Sequence, residues 1–329
     1  MLNGKTKVFF ILFMLFITTL IWSSDNTNIN NNPPNVPNNP MPLNGSTKIL
    51  LSPILRWQSN DPDGDTLIYD IYFGTEEPLN LIAFNFKKNK YRLGVLKPGT
   101  TYYWKIVLKD GKGGEKIGPV WSFKTVEEDA TVNFANDNLE KAIREQLNKL
   151  SGDITVKDML KLTYLDASKS EISNLFGLEY AVNLEVLILS DNNIKNISPI
   201  SNLINLHKLD LSGNEIIDLT PISELVNLQW LNLSNNRIYD LSPITNLNNL
   251  QWLKLYNNNI KSVTPLSGMN SLKYLDLEFN AIISVKPLLK LPNLEYLNIR
   301  MNDLNLVDPE SENMKIIEEL IKREVVVYY

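Results

Sequence analysis

Few residues in this 329-residue chain have types and spacing that suggest chemistry. It has no cysteine and one histidine, which excludes thiol nucleophiles, disulfides, cysteine-ligated zinc and multi-histidine metal sites. Asp61, Asp63 and Asp65 look like calcium ligands, but glycine is the fourth residue of this loop and no later glutamate completes an EF-hand. We therefore predict a tight turn there, no metal site and no cofactor.

Catalytic and phosphate-binding patterns are not indicated either. Segment 111–114 is rich in glycine, but it lies between two predicted strands and opens no helix, so we interpret it as a hairpin turn. A glycosidase needs paired carboxylates in a cleft, whereas Asp166, Asp210, Asp276 and Glu278 are scattered over different segments. The net charge of −5, without a block of Lys or Arg, argues against nucleic acid as a partner. The sequence therefore predicts a protein that is not an enzyme.

Residues 1–24 have the pattern of an export signal. Lys5 and Lys7 precede an uninterrupted apolar run over residues 8–22. As a helix this run spans only about 22 Å, against about 30 Å of hydrocarbon core, which favours a cleaved signal peptide. The small residue expected at position −3 of the cleavage site is missing, so an uncleaved membrane anchor stays the alternative. Both interpretations predict export to the cell envelope or the extracellular space.

An Asn/Pro-rich linker over residues 25–33 precedes a predicted β-sandwich over residues 34–126. Short runs of β-branched and aromatic residues alternate there with turn residues. The sequence Leu-Lys-Pro-Gly-Thr-Thr-Tyr that ends at Tyr102 resembles the tyrosine corner of fibronectin type III domains. That resemblance implies that Tyr102 supplies the corner hydroxyl, and that Trp57 and Trp104 form the core. Modules of this family act mostly as spacers or protein-contact units.

Residues 162–307 repeat every 22 residues. Block 206–227 has the pattern L-x-x-L-x-L-x-x-N-x-I-x-x-L-x-P-I-x-x-L-x-N, and the same pattern recurs in register in the neighbouring blocks. It resembles the leucine-rich repeat of bacterial internalins. One coil cannot bury its apolar ridge alone, so the coils must stack. Asparagine at the ninth position is predicted to bond the turn backbone, and the Ser/Thr-Pro pairs are predicted to cap short helices with their hydroxyl groups.

Both ends of the solenoid have predicted caps, over residues 127–161 and 308–329. An amphipathic helix is predicted after an N-cap at Asp137, and Thr155 with Asp158 predicts a capping box. The C-terminal cap is predicted as an amphipathic helix and a closing strand. The predicted fold is thus a fibronectin type III-like β-sandwich followed by a capped α/β leucine-rich-repeat solenoid, or horseshoe.

The concave face of this solenoid is the predicted binding site. The third position of each repeat points outward and is aromatic in four consecutive coils. Large exposed aromatic residues beside arginine are typical of protein interfaces. The predicted ligand-binding residues are Trp230, Trp252, Tyr256, Tyr274, Phe279, Tyr296 and Arg300.

We predict from these features an exported envelope protein for binding or adhesion that recognises a protein ligand. A glycan ligand is one alternative, because aromatic rings also stack on sugars. A passive or self-associating structural element, in which the rings only pack on one another, is the other. The membrane is an expected partner only through residues 8–22 if they are not cleaved, and the sequence leaves the oligomeric state open. In contrast to internalins, the sandwich precedes the repeats here, so a role in host invasion is not implied.

Overall fold

The computed structural model describes residues 31–329 of the chain. The predicted signal peptide or anchor, and most of the predicted linker, lie outside these residues. Between residues 31 and 329, no helix combines the length and the hydrophobicity that crossing a bilayer requires.

The N-terminal part of the described chain is a β domain with two facing sheets. One sheet has the strand order β1-β3-β6 and the other has the order β2-β9-β7-β4-β5, with β8 paired to β7. Only the β2–β9 pair is parallel. The strands are β1 (Asn38–Met41), β2 (Ser46–Ile49), β3 (Ile54–Gln58), β4 (Ile68–Gly74), β5 (Asn80–Phe86), β6 (Lys90–Arg92), β7 (Thr101–Lys109), β8 (Glu115–Ile117) and β9 (Trp121–Thr125).

Aromatic side chains fill the space between the two sheets. Trp57 is 2% exposed and Trp104 is fully buried, and their rings lie 6.2 Å apart. The hydroxyl of Tyr102 accepts a hydrogen bond from the backbone nitrogen of Lys97 at 3.1 Å, which is the contact expected of a tyrosine corner. The glycine-rich segment 111–114 joins β7 to β8 as an antiparallel hairpin, as predicted.

Two short helices close the N-terminal end of the solenoid. Helix α1 (Asp137–Leu147) has Asn136 as its N-cap, with the side-chain oxygen accepting from the backbone nitrogen of Leu139 at 3.0 Å. The prediction of Asp137 as the cap is therefore wrong by one residue. Both residue types make good caps, and the acidic residue instead complements the helix dipole in the first turn. Helix α2 (Val156–Met159) begins with the predicted capping box of Thr155 and Asp158.

The solenoid has one continuous parallel sheet of eight three-residue strands. Each strand pairs in register with the next, so equivalent positions of neighbouring repeats lie side by side. The strands are β10 (Tyr164–Asp166), β11 (Val186–Ile188), β12 (Lys208–Asp210), β13 (Trp230–Asn232), β14 (Trp252–Lys254), β15 (Tyr274–Asp276), β16 (Tyr296–Asn298) and β17 (Val326–Tyr328).

A short 3-10 helix lies on the opposite, convex side of six consecutive coils. Four of the six begin with a predicted Ser/Thr-Pro pair, and a fifth begins with Lys286-Pro287, which was not predicted. No side-chain cap bond forms from the Ser or Thr of these pairs. The predicted hydroxyl caps are therefore wrong. Residues two positions earlier accept from the backbone instead, for example Asp240 from Ser242 N at 2.8 Å. The 3-10 helices are Leu178–Tyr180, Ser198–Asn202, Thr220–Ile222, Ser242–Ile244, Thr264–Gly268 and Lys286–Lys290.

The asparagine column joins neighbouring coils as predicted. The Asn214 side-chain oxygen accepts from Ile194 N at 2.9 Å, and its amide nitrogen donates to Leu189 O at 2.9 Å and Leu211 O at 3.1 Å. Such bonds satisfy backbone groups that would otherwise be buried without partners. The same pattern holds at Asn192, Asn236, Asn258, Asn280 and Asn302.

Helix α3 (Glu312–Lys322) and β17 close the C-terminal end. Ile317 and Leu320 of this helix are fully buried against the last coils. Asn313 continues the coil-to-coil bonding, since its side chain accepts from Val285 N at 3.2 Å and donates to Ile283 O at 3.0 Å. Strand β17 then pairs with β16 and extends the concave sheet by one strand.

The β domain contacts the convex side of the solenoid. The Lys90 ammonium lies 2.7 Å from the Glu224 carboxylate, and Arg92 donates to the Asn202 side chain at 3.1 Å. Leu51, which precedes β3, is 1% exposed and belongs to the hydrophobic core of the solenoid. Because these contacts lie near the 3-10 helices, the concave sheet on the opposite side stays open.

Candidate functional site: the concave face of the solenoid

The strand geometry separates core residues from surface residues on the concave face. In β14, Leu253 is fully buried, whereas Trp252 is 43% exposed. The alternation follows from the two-residue period of a strand, and the in-register pairing repeats it in every coil. Large side chains at the third repeat position therefore form a row across the sheet.

The aromatic row contains the third-position residues Trp230, Trp252, Tyr274 and Tyr296. The Trp252 and Tyr274 rings are stacked, with centroids 4.5 Å apart and planes at 11°. Tyr274 and Tyr296 are stacked at 4.3 Å and 4°. These distances follow the strand spacing of about 4.8 Å, because each ring stands on its own strand. Three rings thus form a continuous stack on β14, β15 and β16.

Trp230 has a different environment from the other three members of the row. Its backbone pairs in register with that of Trp252. The Lys208 ammonium lies 4.9 Å from the centre of its ring, a cation–π contact from the preceding coil. In the part of the chain that the structure describes, no ring-to-ring contact joins Trp230 to Trp252, whose aromatic partner is Tyr274. The stack therefore begins at Trp252, which is the most exposed of its three rings.

A second aromatic pair lies at the turns that follow β14 and β15. The rings of Tyr256 and Phe279 are 5.5 Å apart at 80°, an edge-to-face contact. Phe279 is 42% exposed and has a φ of 56°, and Met301, one coil later, is 63% exposed with a φ of 54°. This left-handed region favours glycine and asparagine and is costly for larger residues. Two apolar side chains are thus held at the edge of the concave face despite backbone strain.

Charged groups border the stack at its C-terminal end. The Glu278 carboxylate accepts from the Asn298 amide at 2.9 Å and from the Arg300 guanidinium at 3.2 Å. Burial, together with the neighbouring Glu278, raises the pKa of Asp276 above its usual value. Burial and the adjacent Tyr296 also raise the pKa of Tyr274 far above the usual value for tyrosine, so its phenol stays neutral. The site combines neutral rings with a small, partly paired group of charges.

Tyr328 is a residue of the site that the repeat pattern did not predict. Strand β17 places its ring 5.4 Å from that of Tyr296, and the Arg300 guanidinium lies 5.5 Å from its centre. Tyr328 therefore adds a ring, tilted by 41° relative to Tyr296, at the C-terminal end of the stack. The predicted closing strand contained a signal for this placement. Side chains alternate along a strand, so Val326 and Tyr328 share one face and Val327 lies on the other.

The structure divides the seven predicted binding residues into three groups. Trp252, Tyr274 and Tyr296 form the stack, and Arg300 contacts its extension at Tyr328. The second group is the separate pair at the neighbouring turns, Tyr256 and Phe279. The third group is Trp230, whose ring contacts the Lys208 ammonium and does not join the stack.

Comparisons with known proteins agree with this description of the repeats. Residues 182–224 match the family described as "Leucine Rich repeats (2 copies)", and residues 226–282 match "Leucine rich repeat". A solved internalin from Listeria monocytogenes, InlF, is 33% identical with a TM-score of 0.53. The solenoid is internalin-like. The likeness covers 55% of this chain and 55% of InlF, so the chain spans about half the length of that protein.

Other solved solenoids resemble the chain less closely in structure. Internalin C2 of Listeria monocytogenes is 29% identical with a TM-score of 0.46, over 57% of this chain and 95% of its own. A leucine-rich repeat protein of Leptospira interrogans is 25% identical with a TM-score of 0.46, over 53% and 45%. A comparison with curated proteins finds no significant match.

Proposed function

We propose that the chain is an exported envelope protein for binding or adhesion, and that the concave face of its internalin-like solenoid binds a protein. The observation that supports this most directly is the stack of Trp252, Tyr274 and Tyr296. The tilted ring of Tyr328 and the charges of Glu278 and Arg300 border it. Clustered aromatic residues next to arginine are typical of interface hot spots. No catalytic role is proposed for any residue.

The stacking favours a protein ligand over a glycan. A sugar binds on the free face of an aromatic ring, but Tyr274 has rings stacked on both faces at 4.5 Å and 4.3 Å. Among the described residues, Trp252 has a stacked ring on one face only, while Tyr274 and Tyr296 present ring edges and hydroxyl groups. Such a surface suits side chains and backbone groups of a protein partner, which bury ring edges and bond hydroxyl groups.

The β domain supports a role as a spacer. Its two-sheet topology and the Tyr102 hydrogen bond agree with the fibronectin type III resemblance, which we retain as a proposal. Its ion pair from Lys90 to Glu224 lies on the convex side. In the proposed organisation, residues 1–24 direct export, residues 25–33 link this segment to the β domain, and residues 34–126 form the spacer. The repeats over residues 162–307 bind the ligand, and the caps over residues 127–161 and 308–329 close the two ends of the solenoid.

A crosslinking pull-down from envelope extract tests this proposal. The full chain is compared with a variant carrying Trp230→Ala, Trp252→Ala and Tyr274→Ala. A second variant, Tyr164→Ala with Val186→Ala, changes the same repeat position in the first two coils, leaves the Lys208–Trp230 contact intact, and serves as the matched control. We expect a protein that is captured by the wild type and by the control but not by the aromatic variant.

Other outcomes of the pull-down would contradict the proposal. Equal capture by all three proteins would move the site off the aromatic row. Capture of a glycan instead of a protein would support the alternative ligand class. Capture of nothing, together with concentration-dependent association in sedimentation, would support a self-associating structural element.

A further inference from the structure

A groove with a volume of about 430 Å³ lies on the convex side of the solenoid, beside the last two 3-10 helices. Its lining residues all come from the coils that begin with β14 and β15, and among them is none of the β domain. The convex surface at Glu224, by contrast, is used for the contact with Lys90. The proposed function does not use the polar side chains of this groove, which include Lys261, Ser262, Thr264, Ser284, Lys286 and Lys290.

The groove has positive charge that its surroundings neutralise only in part. Within residues 31–329, no carboxylate forms an ion pair with the ammonium of Lys261 or Lys290. Lys286 lies 2.7 Å from the carboxylate of Glu312 in helix α3, and the two side chains of this pair are 68% and 63% exposed. None of the lining residues is acidic. Three ammonium groups beside one exposed carboxylate attract an anion.

The repeat position two residues before each 3-10 helix loses its acid at the groove. Asp218 and Asp240 hold this position in the coils of β12 and β13, and each accepts from the backbone nitrogen two residues later at 2.8 Å. Ser262 and Ser284 replace them in the two coils that form the groove, and their hydroxyl groups make longer bonds of 3.3 and 3.4 Å. Such bonds are weaker, and a carboxylate also favours the positive start of a helix. The chain therefore has the weaker turn at the two places where an acid would repel an anion.

The lining favours a phosphate group over a carboxylate. Lysine binds phosphate as a point charge, whereas a flat carboxylate is held best by the fork of arginine, and none of the lining residues is arginine. The hydroxyl groups of Thr264 and Ser284 each accept a bond within their turn and keep a hydrogen to donate to a phosphate oxygen. Ile283, which is 67% exposed, and Pro287 add an apolar wall for the carbon atoms of the ligand.

We propose that this basic groove binds a phosphodiester-linked polymer of the cell surface. The groove spans two coils and its three lysines are exposed, which suits a section of a chain better than an isolated ion. The phosphate chemistry follows from the lining, whereas the choice of a surface polymer rests on the proposed export. Because the groove and the aromatic row lie on opposite sides of the solenoid, the convex side holds the chain at the surface while the concave face binds its protein.

Calorimetric titration of the full chain with an oligomer of glycerol phosphate tests the proposal. We expect binding that weakens as salt is added, because the contacts are exposed charges. Lys261→Gln with Lys290→Gln should weaken binding by about 10-fold or more, since each lost contact is a charge-assisted hydrogen bond. Lys141→Gln with Lys195→Gln removes the same charge outside the groove and should bind as the wild type does. It is the matched control, because Lys195 holds the repeat position of Lys261 in another coil.

Ser262→Asp with Ser284→Asp gives the sharpest test. It introduces the residue that the coils of β12 and β13 have at this position, so Tm should stay equal or rise. The two new charges should weaken binding of the oligomer by about 100-fold or more. Such a loss without a fall in Tm cannot result from unfolding. The aromatic variant of the pull-down should bind the oligomer as the wild type does, which separates this site from the concave one.

Several results would overturn the inference. Absence of binding by the wild type at low salt does so without any variant. Unchanged binding by Ser262→Asp with Ser284→Asp places the polymer elsewhere, and a loss in the aromatic variant places it on the concave face. Equal affinity for an oligomer of glutamate contradicts the phosphate class. Tighter binding to vesicles of phosphatidylglycerol contradicts the polymer and favours a membrane surface. None of these results depends on whether the pull-down captures a protein.

Discussion

The two halves of the concave sheet share one backbone and differ in the side chains that point outward. Strands β10 to β12 present Tyr164, Val186 and Lys208 at the third repeat position, whereas β13 to β16 present the aromatic row. The asparagine bonds and the buried leucines are the same in both halves. The inward positions therefore maintain the solenoid, whereas the outward positions can vary without changing its backbone.

Substitution of inward leucines should affect both halves equally and gives the largest effect. Leu187→Ala and Leu253→Ala each remove a fully buried side chain from the same repeat position. We expect each to lower the free energy of unfolding by about 2–5 kcal/mol, because a cavity remains in the core. Urea denaturation of both variants measures this. If only Leu253→Ala lowered the free energy of unfolding, the core would contribute to stability mainly in the aromatic half.

Substitution of outward residues should separate the two halves. Trp252→Ala with Tyr274→Ala removes two stacked rings and should weaken ligand binding by about 2 kcal/mol or more, as hot-spot truncations do. Tyr164→Ala with Val186→Ala, which leaves Lys208 and its contact with Trp230 intact, should change the affinity by less than about 0.5 kcal/mol. Surface plasmon resonance with the partner captured in the pull-down measures both. Equal losses in the two variants would show that the whole sheet is the interface.

Phe279 offers a substitution that should raise stability and weaken binding. Its φ of 56° is strained for an aromatic residue, and Asn235 and Asn257 hold the same position in the two preceding coils. Phe279→Asn should therefore increase the free energy of unfolding by about 1 kcal/mol. The same change removes the edge-to-face contact with Tyr256 and should reduce affinity. Asn257→Phe is the reverse control, since it should destabilise; a stabilising result there would refute the strain argument.

Removal of the charge at Asp276 should give the smallest effect, a change in Tm that depends on pH. Burial raises its pKa in the folded state, so the folded chain binds more protons than the unfolded chain just above the ordinary carboxyl range. The charged form is thus penalised at pH 7, and the penalty is relieved as the pH falls through the raised pKa. We expect Asp276→Asn to raise Tm slightly at pH 7, with the gain disappearing near pH 4. Thermal melts of the wild type and the variant between pH 4 and pH 7 measure this difference in Tm. A difference that grows as the pH falls would contradict the raised pKa of Asp276.

The repeats could be predicted because each position of a coil recurs in the same environment. Leu209 and Asn214 show this, since their types and 22-residue spacing define both the core and the coil-to-coil bonds. Features outside the repeat were less predictable. The N-cap at Asn136 lies next to an equally suitable residue, Asp137, and only the path of the chain decides between them.

Part of the candidate site was predictable for the same reason. An outward aromatic residue at the third position places Trp252, Tyr274 and Tyr296 side by side, because parallel strands in register bring equivalent positions together. The addition of Tyr328 depends on a closing strand that has no repeat pattern. The strained backbone at Phe279 could be predicted only from its repeat position, which Asn235 and Asn257 hold in the preceding coils, because phenylalanine itself gives no sign of a left-handed turn.

The sequence by itself determined the period, the inward leucines, the asparagine column and the row of outward aromatic residues, since these follow from the local geometry of strands and turns. Only the tertiary structure decided which rings stack, that the cap extends the stack, and that the β domain lies on the convex side. It also decided that the carboxylates of Asp61, Asp63 and Asp65 each place one oxygen within 4.8 Å of the others. Those outcomes depend on contacts between residues far apart in the chain, where side-chain packing and charge decide among arrangements that the sequence pattern alone permits.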